Sequence, residues 1–541
     1  MNCKFESATL FTWQISCEPR SSRASVRRRG NGTARFFLPF HWPLYSVDSR
    51  QDLKSPVRID KILEKSKNPS SIRRGAGTAM NSKPSRSTFR DRMDEMIRTL
   101  RRDIESGVYV PGSFLPSEDR LAEQFDVSYK SVAKGLDQLA AEGLLVKIRR
   151  VGSKVVKKET VHFGFHDTMY RDVDLAALLA LFHREHPHIE IRPISISQNY
   201  SSDTIDDLMT SGRFDVMMTN HIYYQHAREH RRLDVLEPMR LADDTYPFLR
   251  DELLVDGISY ARPLVFSPVI LAYNRKHFHA AGLPEPDSGW TWERLLEAAA
   301  QLSQPSGRYG FAASFLSGNN RWPAIWMQRA SAPLRSSAGQ RRPEAEELAA
   351  SLTYCRDLMK ADGVVPGFLE VSAMQSLFAE GKLSMLMTTY FLLNGFNDKA
   401  VPYDIAPLPY ISEPRTMLLW IGLSIHRKTT VPDSAREFVE FMTSPEAQAI
   451  IRRNTLSIPA SAAAAGASEP VVHKPDRYNL YREIIPSYRS HWQYGLRYET
   501  VEAVRELLLL LYSGVIGEDE LRVRLAELLD KQDAERTVSG N

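Results

Sequence analysis

Residues 115–156 constrain this chain more than any other stretch. Leu115-Pro116-Ser117-Glu118 opens them, Glu142-Gly143-Leu144-Leu145 closes a helical pattern, and a basic turn around Gly152 follows. Apolar Leu121, Ala122 and Phe125 stand at helical spacing over 118–125, and Val132, Leu136 and Leu139 do so over 129–142. Ser117 and Ser128 each stand where a hydroxyl can accept from the free N–H groups of a first turn, and Gly143 stands where the second helix must end in a left-handed residue. Two short capped helices joined by a tight turn and followed by strands are the geometry that sets a helix in the DNA major groove.

This pattern resembles the GntR family of bacterial transcription regulators. The resemblance is carried by Leu115-Pro116-Ser117-Glu118-Asp119-Arg120-Leu121-Ala122, by Val127-Ser128 and by Glu142-Gly143-Leu144. In front of it, a helix expected over 89–106 carries Met93, Ile97, Leu100 and Ile104, and Gly107-Val108-Tyr109-Val110-Pro111-Gly112 supplies the turn. The resemblance implies a winged helix-turn-helix over 80–158 that binds double-stranded operator DNA as part of a homodimer. It places the contacts on Ser117, Ser128, Tyr129, Lys130, Ser131 and Lys134, and on Arg149, Arg150, Gly152 and Lys154 of the wing. Family members usually carry arginines directly after the Val-Ser pair and again four residues on; here Tyr129 and Ala133 stand there, with Lys130 and Lys134 beside them. Lysine is a point charge without the two-toothed fork of arginine, so it suits phosphates better than guanine edges. With Lys147 added to Lys130, Lys134, Arg149, Arg150 and Lys154, the module offers the cationic footprint that phosphate contact requires.

At 541 residues and 43% hydrophobic content, the chain has room for roughly three or four domain-sized units. Its charge is unevenly spread. Residues 1–80 carry 15 basic and 6 acidic side chains and 81–158 carry 16 and 11, so with a whole-chain charge of +4 the remainder is near −10. A basic head on an acidic body leaves only the head suited to nucleic acid. Residues 1–79 are rich in Ser, Arg and Pro, contain Arg27-Arg28-Arg29 and sustain no period. They are expected either to be disordered or, the favoured reading, to precede a true start at Met80. Cys3 and Cys17 lie in that stretch and only Cys355 remains, so neither a disulfide framework nor a cysteine metal site is expected. The start lacks the basic, apolar, small-residue succession of a secretory signal, and no apolar run reaches roughly 18 residues, so a cytoplasmic protein without a membrane partner is expected.

Beyond the basic hinge at 154–158, strands and helices alternate: a strand over 161–165, an apolar-faced helix over 173–185, and strands over 188–196 and 214–218. This is an α/β pattern. It resembles the family 1 extracellular solute-binding proteins, the carbohydrate-binding subunits of ABC importers, along most of 160–530. The carrying residues begin with Phe182 and Pro187-His188-Ile189-Glu190-Ile191, then Ser211-Gly212 with Phe214-Asp215-Val216, then Ala272-Tyr273-Asn274 with Phe278, Ala281-Gly282-Leu283 and Trp290-Thr291-Trp292. They continue with Phe378-Ala379-Glu380-Gly381-Lys382 and Met385, Ala406-Pro407-Leu408-Pro409, Ala435 with Phe438, and Ile458-Pro459-Ala460. The resemblance implies a multi-domain chain: an α+β winged helix followed, over 159–541, by a two-lobed α/β periplasmic-binding-protein-like domain of type II. Crossings between lobes are expected near 262–267 and 418–424, with a small-molecule effector, a sugar or oligosaccharide, held in the cleft.

Sugars are gripped by aromatic faces and fixed polar groups, because a pyranose has an apolar C–H face and a rim of hydroxyls. Position at strand ends picks out His166 and Asp167, then Asn220, His221 and Tyr223, then Tyr390 and Phe391, and Trp420 at the second crossing. Trp290 and Trp292 belong to a helix start and are read as packing residues, while Trp322 and Trp326 fit core and cleft equally. No catalytic constellation, pyridoxal-phosphate lysine motif or GxxxxGK[ST] loop occurs, so neither an enzyme nor a cofactor is expected. The favoured expectation is a ligand-responsive transcription regulator. The alternatives are an ABC-transporter substrate-binding protein with an atypical N-terminus and, less favoured, a regulator fused to a pyridoxal-phosphate enzyme-like body.

Overall fold

The computed structural model describes residues 86–148, 150–156, 158–196, 202–305, 307–317, 320–330, 343–396, 401–467 and 474–540, together with 2–4 and 16–18. Asn2–Lys4 and Ser16–Glu18 pair antiparallel, in a unit separate from 82–541. The rest of 1–79, Met80 and Arg149 lie outside the described residues.

The first module comprises α1 (Arg86–Glu105), α2 (Glu118–Phe125), α3 (Tyr129–Ala141) and a hairpin of β1 (Leu145–Ile148) and β2 (Gly152–Val155). Its helix ends follow from the side chains placed there. Ser117 Oγ accepts from the Arg120 N–H at 3.3 Å and Ser128 Oγ from the Ser131 N–H at 3.2 Å. Met96, Ile97, Leu100 and Ile104 of α1 pack on Leu121, Val132, Leu136 and Leu139, and Leu145 and Val155 of the hairpin close the core. Met93, expected on this face, is only partly buried because the face is centred on Met96. Gly135 makes the close approach of α1 to α3 possible, since a Cβ there would stand 2.5 Å from Met96 Cε. Arg101 donates from Nε and Nη2 to Glu142 at 2.9 and 2.7 Å, tying α1 to the end of α3. Phe114 makes a single antiparallel bridge to Lys154 beside this two-stranded hairpin, completing a winged helix-turn-helix.

The second module is a mixed sheet with helices on both faces. Its strands are β3 (Glu159–Phe165), β4 (Ile189–Ser195), β5 (Val216–Asn220), β6 (Arg262–Asn274), β7 (Tyr309–Ala312), β8 (Leu383–Thr389) and β9 (Thr416–Ile425), in the spatial order β7-β8-β6-β9-β5-β3-β4. Parallel β3, β4 and β5 build one lobe, and parallel β7 and β8 build the other. The long β6 runs from one to the other: Arg262 to Pro268 face β9 antiparallel, then Val269 to Tyr273 face β8. The segments 262–267 and 418–424 are thus the mutually paired parts of β6 and β9, and β9 also pairs with β5. Successive residues of a strand point to opposite faces. Along β9, Leu418 and Trp420 accordingly join one apolar cluster and Met417, Leu419, Ile421 and Leu423 the other. Both faces are covered, which is why these strands read as unbroken apolar runs.

The helix expected over 173–185 is α4 (Leu175–Glu185), shortened because Asp174 caps it with Oδ1 accepting from the Ala177 N–H at 3.4 Å. The strand expected over 214–218 is displaced to Val216–Asn220, because Asp215 in front of it accepts from the His162 N–H and the Thr429 hydroxyl. It leads directly into α5 (His221–Glu229). Near the C-terminus, α6 (Tyr498–Tyr512) packs on α5. Among the described residues, no helix is long and apolar enough to cross a membrane.

Candidate functional site

The carboxyl ends of β3, β5 and β8 meet beside the crossing strand β9 and enclose a cavity of about 120 Å³. That is the end of a parallel sheet where loops and helix starts converge from several strands. The first lobe supplies His166, Thr168, Arg171 and Asp172 after β3, and Met218, Asn220, His221 and Ile222 around the end of β5. The second supplies Thr389, Phe391 and Leu392 after β8, joined by Arg321 and by Leu419, Trp420 and Ile421 of β9.

Polar groups in this wall are held in place. Asn220 ends β5 and caps α5, its Oδ1 accepting from the Ile222 and Tyr223 N–H groups at 3.0 and 2.9 Å. Thr389 does the same for the turn after β8, its Oγ1 accepting from the Leu392 N–H at 3.2 Å. His166 Nε2 and the Tyr223 hydroxyl are hydrogen-bonded at 2.9 Å, with the two rings stacked. Burial pushes His166 down to about 4, against the opposing pull of Asp167. Burial, then the charges of Arg321 and His491, push His221 down to about 3, while its ring bonds to the Trp420 backbone. Burial pushes the Asp172 carboxyl up to about 6 although Arg171 Nε donates to it at 3.1 Å. At neutral pH the wall therefore presents neutral imidazoles, which can donate and accept at once, beside an ionised arginine–carboxylate pair.

The cleft brings together five of the residues singled out by position: His166, Asn220, His221, Phe391 and Trp420. Trp420 packs edge-on against Tyr224 at 5.5 Å, and its indole Nε1 is buried without a partner among the described residues. Three others stand elsewhere. Asp167 is exposed outside the wall, and Tyr223 is fully buried one layer behind His166. Tyr390 is a core residue and not a cleft residue: its hydroxyl donates to the Tyr478 carbonyl at 2.9 Å and accepts from the Tyr481 N–H at 3.1 Å, and its ring packs against both tyrosines. The strand ends at Thr389, so the two following residues diverge, Phe391 into the cleft and Tyr390 into the apolar layer behind. Trp290, Trp292, Trp322 and Trp326 all lie in the other apolar cluster. Arg171, Asp172, Arg321 and Thr389 were not picked out from the sequence. Arg171 and Asp172 had a signal in their closeness to the first strand end, whereas Arg321 had none.

On the winged helix, Ser117, Ser128, Tyr129, Lys130, Lys134, Arg150 and Gly152 are exposed, and Ser131 and Lys154 are half-buried. The Ser128 and Ser131 hydroxyls bond each other at 2.9 Å at the start of α3. Glu118, across the turn between the two helices, raises the Tyr129 pKa. Lys147 does not belong to the free cations: its Nζ donates to Asp137 Oδ1 at 2.6 Å and to the Ala133 carbonyl at 3.1 Å.

Residues 93–155 match the family described as bacterial regulatory proteins, gntR family, and residues 169–449 match bacterial extracellular solute-binding protein. In the first region, 66 residues are 36% identical to the HTH-type transcriptional regulator TreR of Bacillus subtilis, covering 12% of this chain and 28% of that protein. In the second, 181 residues are 30% identical to the mannitol-binding protein of Pseudomonas aeruginosa, covering 32% of this chain and 39% of that protein. The fold is similar to that of the ABC substrate-binding protein Lmo0181 from Listeria monocytogenes in complex with cycloalternan, with a TM-score of 0.60 at 17% identity, over 71% of this chain and 100% of that one. Both matched domains are of regulator and solute-binding type and not of enzyme families. With a two-lobed sheet, a cleft at its strand ends and a family match over more than half of its length, the chain belongs to the bacterial extracellular solute-binding protein family and carries a gntR-type DNA-binding module in front of that domain.

Proposed function

We propose that this protein is a ligand-responsive transcription regulator, in which α3 and the wing bind double-stranded operator DNA and the cleft takes a small carbohydrate. One observation carries the reading: a single chain joins a capped helix bearing exposed Lys130 and Lys134 to a cleft in which Phe391 and Trp420 stand beside Asn220, His221 and Thr389. Aromatic faces with fixed donors and acceptors suit a polyhydroxylated ligand. A cavity of about 120 Å³ is close to the roughly 150 Å³ that accommodates one benzene-sized ring. A monosaccharide or polyol therefore suits it better than an oligosaccharide, in line with the mannitol-binding relative. The domain boundary is read at 158–159, and the protein acts inside the cell as a homodimer whose two winged helices meet half-sites about one helical turn apart. Ligand shifts DNA affinity only to the extent that it binds open and closed lobes differently.

The test uses the full chain. Duplexes are selected from a random pool, and their affinity is then measured with and without D-mannitol and a panel of monosaccharides, alongside the unfolding midpoint. Enrichment of a duplex, and a sugar that both raises the midpoint and changes that affinity, are expected. No enrichment, or no response to any panel member, overturns the proposal.

A further inference from the structure

At the opposite end of α5 from its cleft-lining first residues, three side chains converge. His226 and His230 lie one helical turn apart at the end of α5, and Glu499 comes from the first turn of α6. One ligand atom from each lies within 4.8 Å of the others. Residues at i and i+4 share a helix face, so both imidazoles point the same way.

The hydrogen bonds around the cluster leave it one proton short. His226 is 0% exposed, and its Nε2–H donates to Asp206 Oδ1 at 2.9 Å, with Arg232 holding the other Asp206 oxygen at 3.2 Å. That bond fixes the tautomer and leaves Nδ1 as a bare lone pair. Nδ1 is buried without a hydrogen-bond partner among the described residues and faces Glu499 Oε1 at 3.9 Å. A lone pair facing a carboxylate oxygen is two acceptors in opposition, an arrangement that a cation between them relieves. His230 Nε2 bonds the same Oε1, and Arg497 holds Glu499 Oε2 at 3.2 Å. His226 and Glu499 are thus oriented from behind, as an imidazole held by a carboxylate is in metal sites.

We infer that His226 Nδ1, His230 Nε2 and Glu499 Oε1 form a binding site for a divalent transition metal of the zinc class, which ties α5 to α6. Two imidazoles and one carboxylate favour zinc, cobalt or nickel over calcium or magnesium. Ligands at roughly 2.0–2.2 Å from zinc stand roughly 3.4 Å apart in a tetrahedron, so a small side-chain rotation closes the observed gap. Water completes the set, since His230 and Glu499 are about one-third exposed. The site is structural. His226-Ala227-Arg228-Glu229-His230 has the His-x-x-Glu-His spacing of some zinc peptidases, but Glu229 is occupied by the Tyr498 N–H at 2.9 Å and by Gln225, so it is not free to serve as a base.

The full chain, purified without a histidine tag and stripped with chelator, is titrated with Co²⁺ while the visible d–d bands are followed, and Zn²⁺ is then added in competition. One Co²⁺ per chain with tetrahedral-type bands, displaced by Zn²⁺, is expected, and Zn²⁺ raises the unfolding midpoint. Asp206→Asn weakens binding roughly 10–100-fold, and His230→Gln and Glu499→Gln each weaken it more and abolish the midpoint rise. Both of these side chains are partly exposed, so either variant serves if the other fails to fold. Absence of bands in the unaltered chain, or equal binding by His230→Gln and Glu499→Gln, overturns the site.

Discussion

Gly143 rests on Pro187. Its backbone, at φ 76°, comes so close to the Pro187 carbonyl that a Cβ there would stand 2.0 Å from the oxygen. The same residue ends α3 of the DNA module, and Pro187 leads into β4 of the first lobe. On either side of this contact the chain is fixed within its own module: the Val156 N–H donates to the Leu144 carbonyl at 3.0 Å in the winged helix, and the Glu159 N–H to the His188 carbonyl at 3.0 Å in the lobe. The helix proposed to enter the groove is therefore seated directly on the lobe whose residues line the cleft.

Gly143→Ala should unseat it. The left-handed backbone alone costs a non-glycine residue roughly 1–2 kcal/mol, and the obstacle is a carbonyl that no rotamer change can avoid. In the full chain, stability should fall by at least that amount, and any sugar-dependent change in DNA affinity should vanish while each ligand still binds. Denaturant unfolding and DNA titration with and without sugar check this; unaltered coupling would show that the junction is not the route.

Lys130→Gln and Lys134→Gln should each weaken duplex binding and flatten the slope of log affinity against log salt by roughly 0.9, the contribution of one neutralised phosphate. Lys147→Gln should leave that slope nearly unchanged, because its ammonium is engaged by Asp137 and the Ala133 carbonyl. Titrations at several salt concentrations separate the two classes. Equal slopes for all three variants would contradict the assignment.

Trp420→Phe should lower sugar affinity about ten-fold, near 1.4 kcal/mol, by removing the buried indole N–H and part of the ring face from the cleft wall. Tyr390→Phe should do the reverse. Its lost hydroxyl strands the Tyr478 carbonyl and the Tyr481 N–H, costing roughly 1–3 kcal/mol of stability with little change in affinity. Calorimetric binding and unfolding midpoints measured on both variants decide it.

His491→Gln should flatten the acid limb of the stability curve. Burial holds His491 down at about 4, below its unfolded value near 6.5. Its contribution is complete above the unfolded value and is lost as pH falls toward the folded one, at about 1.4 kcal/mol per pH unit. His166 and His221 act in the same direction, while Asp172, raised to about 6, acts oppositely, its contribution being lost as pH rises through that value. Urea midpoints between about pH 6 and 4 should fall less steeply in the variant by about one proton's worth; parallel curves would refute the account.

Local chemistry was enough to place the elements. Ser117, Ser128 and Gly143 mark helix ends because capping and left-handed termination act over three or four residues, and apolar runs mark strands buried on both faces. Strand ends in turn located His166, Asn220, His221 and Phe391 in the cleft wall, and the second crossing located Trp420, because loops and crossing strands converge at the carboxyl ends of parallel strands. The rest depended on what the fold brings together. Tyr390 and Phe391 are adjacent and both aromatic, yet opposite sides of the sheet claim them once the strand's alternation ends at Thr389. Lys147 reads as a DNA-facing cation until Asp137 is seen to hold it. Arg321 reaches the cleft, and Glu499 reaches His226 and His230, from segments far away in the chain. Sequence patterns encode short-range hydrogen bonding and periodicity; which distant charges and rings become neighbours is decided only when the two lobes and the C-terminal helices pack.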